Sequence, residues 1–99
     1  MMTNEKTLLV QKMEKQRFLP ISEETLSLYE SYSACIDKQD PDELSYHLFY
    51  QGEYFFRVGF FDRALNFLNR CLQAPKSSAL HFLDVRSYNI IGLIYSYLS

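Results

Sequence analysis

The side chains that could carry acid–base, nucleophilic or metal chemistry in this sequence are few: Glu23 with Glu24, Asp40 with Asp42 and Glu43, His47, His81, Cys35 and Cys71. Neighbouring carboxylates can share proton-transfer work, and a Cys/His set can hold zinc. Each needs a geometry that spacing must supply. Both acidic clusters stand at the start of a helical pattern, where the positive end of the helix dipole favours carboxylates without any catalysis. His47 follows Glu43 by four residues, the spacing of an ordinary surface pair on one helix. His81 has no nucleophile or second ligand spaced with it. Cys35 and Cys71 are isolated, with no CxxC spacing, and a zinc site or disulfide joining them with His47 and His81 has no motif behind it. Glycine-rich phosphate loops, HExxH and GxSxG are absent from the sequence. The expectation is a chain with no catalytic residue, no cofactor and no metal: not an enzyme.

The elements that would position any site follow from composition and punctuation. Of 99 residues, 47% are apolar and 22% charged, values typical of a folded domain, and only three Gly and three Pro supply turns. Such scarcity favours long helices over many short strands. The net charge is −2 with Lys and Arg scattered, so the basic footprint of a nucleic-acid or anionic-membrane binder is missing. No apolar run approaches the ~20 residues needed to span a bilayer, and the N-terminus has no secretory cleavage pattern. The expected setting is cytoplasmic, with no nucleic acid and no membrane.

Five helices are expected, and the fold class is all-α. Ser22 ahead of Glu23 and Glu24 opens a helix over residues 22–38, with Leu26, Tyr29, Tyr32 and Ile36 at helical spacing. Asp40 caps the next, Pro41 suits its first position, and Glu43 three residues on completes a capping box. That helix runs to Val58, where Gly59 can close it in the left-handed conformation. Its partner covers residues 60–74, ends at Pro75 and, after so short a link, should lie antiparallel. Ser77 or Ser78 opens a last helix to the end of the chain, and residues 4–17 form a weaker first one.

Two stretches repeat. In YQGEYFFRVGFFDRAL, Gly52 has Leu48 four residues before and Phe55 three after; in NIIGLIYSYLS, Gly92 has Tyr88 and Tyr95 in the same places, 40 residues on. The first stretch, continued by Gly59, Phe61, Ala64, Leu68 and Cys71, resembles the tetratricopeptide repeat. Gln51 departs from that pattern, and the offset of 40 exceeds the family's usual 34. The resemblance implies antiparallel helical hairpins forming a fragment of a right-handed superhelix within one domain, residues 1–99. Its parts would be N-terminal helices over 1–39, a first repeat over 40–76, and the first helix of a second, incomplete repeat over 77–99. The competing arrangement is a generic helical bundle, in which the equivalence of Gly52 and Gly92 is lost.

The resemblance also implies a function: a module binding a protein or peptide, as a sensor or scaffold segment of a larger bacterial signalling protein. Its concave groove would be lined by Tyr46, Phe49, Glu53, Phe56 and Arg57, then Arg86, Asn89, Leu93 and Tyr97. Phe49 and Glu53 replace the Lys and Asn of the carboxylate clamp found in chaperone-docking members, so chaperone docking is disfavoured. The competing expectation is that the N-terminal helices cover this groove. A separate alternative is a small self-associating protein, a homodimer through the C-terminal helix, because Ile91, Ile94, Tyr95 and Leu98 all need cover.

Overall fold

The computed structural model describes residues 2–99, and five α-helices account for the fold: α1 (Asn4–Gln16), α2 (Glu23–Cys35), α3 (Pro41–Val58), α4 (Phe61–Gln73) and α5 (His81–Leu98). No strand occurs among the described residues. The chain is all-α.

Local chemistry sets most boundaries. Ser22 accepts from the Thr25 N–H while the Thr25 hydroxyl accepts from the Ser22 N–H, a reciprocal cap made with Thr25. Asp40 accepts from the N–H groups of Asp42 and Glu43 and places Pro41 at the start of α3. Glu43 does not complete the expected box. It turns inward, where its carboxylate takes Lys6 Nζ at 2.7 Å and the Asp37 N–H at 3.1 Å. His47 is accordingly no surface partner of Glu43. It lies half-buried, and burial first, then the charges of Lys38 and Arg70, hold its imidazole below the ordinary value.

Gly59 closes α3 at φ 89°, a conformation that a side chain would strain, and the chain reverses directly into α4. α4 ends at Gln73 before Pro75, and Lys76 donates to the freed carbonyls of Cys71 and Ala74. Neither Ser77 nor Ser78 caps α5. The chain first makes a 3-10 turn at Ser78–Leu80, and α5 starts three residues later than expected without a side-chain cap.

Consecutive helices run antiparallel. Along α3 and α4 the pairs are Ser45 with Cys71, Gly52 with Leu68 and Phe56 with Phe61. α5 then returns alongside α3, with Tyr46 near Phe82 and Phe56 stacked on Tyr97. The ladder Lys6–Glu43, Glu14–Tyr50 and Arg17–Glu53 shows α1 running in the same direction as α3. The resulting slab measures 42 × 30 × 18 Å, thin enough for two layers of helices.

The core draws on every helix. It contains Val10 and Met13 of α1, Tyr29 and Tyr32 of α2, Leu48, Phe49 and Tyr50 of α3, Ala64, Leu68 and Cys71 of α4, and Leu83, Ile90 and Ile94 of α5. Leu26, expected on the inner face of α2, is exposed. At Gly52 the helices approach so closely that an added Cβ would sit 2.7 Å from Leu68, whereas a Cβ at Gly92 would meet nothing within 4 Å. The two glycines occupy matching places in the sequence and opposite environments in space.

Candidate functional site

The residues expected to line a groove converge on one face of α3 and α5, and α1 lies across it. Glu14 of α1 is the hub. One carboxylate oxygen accepts from the Tyr50 hydroxyl at 2.6 Å and from Arg86 Nη1 at 2.7 Å, and the other accepts from Arg86 Nη2 at 3.1 Å. This two-pronged guanidinium pairing fixes orientation as well as charge. Burial alone would raise the Glu14 carboxyl, but the hydrogen bonds from Arg86 and Tyr50 outweigh it and hold it below the usual 4.5.

One turn further along α1, Arg17 Nε donates to both oxygens of Glu53, at 2.8 and 2.9 Å. Glu53 is almost fully enclosed, so this pair is an interior contact and not a screened surface one. The guanidinium groups of Arg17 and Arg86 also lie 5.4 and 5.7 Å from the ring centroid of Phe49. Phe49 itself has no exposed surface. Arg57 reaches the end of α1, where its guanidinium donates to the carbonyls of Gln16 and Leu19. A cation there satisfies acceptors that the helix terminus leaves free.

Of the nine residues expected to line an open groove, Phe49, Glu53, Arg57 and Arg86 are therefore engaged by α1 and the residues just after it; Phe49 has no exposed surface and Glu53 almost none. Tyr46 is half-buried beside Tyr50, with ring planes 7° apart. Only the far end of the face stays open, beyond the last turn of α1. There Asn89, Leu93 and Tyr97 are exposed, and Tyr97 stacks on Phe56 and Phe61 with centroids 6.3 and 5.9 Å away. Sequence reasoning missed Glu14 and Arg17, whose side chains tie α1 to α3 and α5. Their clue would have been long-range charge pairing, which periodicity does not report.

The four residues expected to need cover divide. Ile94 is buried within the chain and Ile91 packs against its core, so neither is offered to a second copy. Tyr95 and Leu98 remain exposed, joined by Val85 and Tyr88, which the sequence reading left out of that set.

Cys71 is enclosed, with its thiol aimed at the Ser45 carbonyl 3.7 Å away, and burial pushes the thiol up, away from the reactive thiolate. Among the described residues no three His, Cys, Asp or Glu side chains gather as a metal site would need, and no helix is long and apolar enough to cross a membrane. A cleft of about 290 Å³ between α2 and α3 is lined by Tyr29 and Tyr54 together with Glu30, Ser33 and Gln51. It opens to solvent, and Leu26 adds an apolar side chain to its mixed lining. Comparison of the chain with protein-family models, with curated proteins and with solved structures returns no match.

Proposed function

We propose that this chain is a non-catalytic interaction module of tetratricopeptide-like build, whose α3–α5 face holds helical peptide segments and whose α1 is the segment it holds in cis. One observation carries the reading. The face grips α1 with directional, charge-assisted contacts, Glu14 to Tyr50 and Arg86 and Arg17 to Glu53, beyond the simple apolar packing that would suffice to bury a helix. Such contacts select orientation and register, which is what a recognition surface needs. The pairing of α3 with α4 and the return of α5 beside α3 support the repeat-like build. The proposed setting is a sensor or scaffold segment of a larger cytoplasmic bacterial signalling protein, with a protein or peptide as partner.

The test uses a synthetic peptide spanning residues 3–19. Replacing Glu14 and Arg17 together by Ala loosens α1 in the chain but leaves its face intact. Fluorescence anisotropy should then show the labelled peptide binding the double variant and not the parent protein. A folded double variant that ignores the peptide would remove the reading. So would amide exchange in which α1 of the parent opens only with α4, because α1 would then be an inseparable part of the core.

A further inference from the structure

The outer face of α5 is apolar, uncharged and uncovered. Val85, Tyr88, Gly92 and Tyr95 follow at steps of three and four, and Ser96 and Ser99 continue from Gly92 at four and three, so they share one side of the helix, and all are exposed. Tyr88 and Tyr95 show 65% and 57% of their surface, and Leu98 flanks them at 60%. The opposite side of α5 is already packed through Leu83, Ser87, Ile90 and Ile94. A helix apolar on both sides normally ends up covered on both. The molecule itself shows what covers such a face: on α3 the glycine with a large residue four before and an aromatic three after, Gly52, is covered by an antiparallel helix whose Leu68 presses against it.

We propose that the Gly92 face of α5 is covered by α5 of a second copy, packed antiparallel about a two-fold axis passing near Gly92. Charge argues for this occupant. Between Val85 and Leu98 the only charged side chain is Arg86, and Glu14 holds it on the other flank. The face therefore gives a charged partner nothing to select, and it meets its own copy without like-charge repulsion. Symmetry argues for it as well. Tyr88 stands four residues before Gly92 and Tyr95 three after, so antiparallel apposition sets each Tyr88 against the Tyr95 of the other copy, an isologous contact. Gly92 at the centre lets the backbones approach, and the Ser96 hydroxyl is already engaged with the Gly92 carbonyl at 3.1 Å. Fourteen residues of helix give a seam about 20 Å long, short of a permanent interface, so the dimer is reversible.

This inference deepens the interaction-module reading but uses a different face, so the peptide experiment on α1 and the one below fail independently. Sedimentation equilibrium of the full chain, from about 10 µM to about 1 mM, should show mass rising from one copy toward two. Tyr88→Lys and Tyr95→Glu each alter only exposed side chains, and each should weaken association roughly tenfold or more while leaving the circular dichroism unchanged. The double variant should recover association, because antiparallel packing sets each Lys against a Glu. In parallel packing Lys would meet Lys, and the double variant would stay monomeric. A parent protein that is monomeric throughout, a dimer indifferent to both single variants, or a double variant that fails to recover overturns the proposal. A monomer that instead binds a foreign amphipathic helix at Tyr95 overturns it too, and assigns the face to another occupant.

Discussion

α3 and α5 are each 18 residues long, run side by side in the same direction, and carry a glycine in the same aromatic setting, yet one is enclosed and the other is half bare. On α3 the glycine is a space requirement, because Leu68 of α4 fills the volume that any side chain would need. On α5 the same residue answers to nothing within the chain. The difference teaches that the glycine marks a place for a neighbouring helix, whether or not this chain supplies the helix. It also separates the two kinds of surface that α5 carries, one committed to α3 and α4, the other uncommitted.

The largest test of that contrast removes the neighbour. Leu68→Ala empties the space against Gly52 in a fully enclosed site and should lower stability by about 2–5 kcal/mol. Tyr95→Ala, on the bare side of α5, should change the stability of the isolated chain by no more than about 0.5 kcal/mol. Urea unfolding of the two variants at equal concentration reads both. Similar losses would mean that the bare face is packed in solution, and the contrast would dissolve.

Smaller in size but opposite in sign are the two alanine substitutions at the glycines. Gly52→Ala drives a methyl group into Leu68 and should cost about 1–3 kcal/mol despite the better helix propensity of alanine. Gly92→Ala meets open space in the middle of a helix and should stabilise the isolated chain by up to about 1 kcal/mol. Thermal melts at low concentration, where self-association is absent, should move in opposite directions. A loss at Gly92 would show that its environment is as tight as that of Gly52.

Why one helix was readable and its counterpart only partly so has physical causes. The ends of α3 were legible because Asp40, Pro41 and Gly59 act through their own backbone: a cap, a fixed φ and a left-handed turn. The start of α5 was not, because Ser77 and Ser78 offered the same hydroxyl chemistry and the chain used neither, entering through a 3-10 turn. Periodicity could not choose the inner side of α5. Its apolar residues surround the helix, so Ile94 and Tyr95 looked alike although one is enclosed and the other is bare. The filled groove was the hardest to see. Phe49 and Glu53 lose their exposure to a helix more than thirty residues earlier in the sequence, through Arg17, and only tertiary contact records that.

The weakest effect expected is the response to acid, and it too should separate the helices. Among the groups beside α3 whose titration folding displaces are half-buried His47 and, through Tyr50, Glu14; the bare side of α5 from Val85 to Leu98 carries no acid or histidine. His47 is held below 6.5, so as pH falls through 6.5 the unfolded chain takes up a proton that the folded chain resists, and stability begins to decline. Glu14 is held below 4.5. Its pairing with Arg86 and Tyr50 contributes fully above that value and is lost as pH falls through the lower folded one. Amide exchange, corrected for intrinsic rates, should therefore show α3 loosening first and α1 following at lower pH. His47→Gln should remove the first stage and leave the second. Association through α5 should hold across the first stage, because no group on its bare face changes charge there; a dimer that dissociates between pH 7 and 5.5 would place a titrating group in that interface.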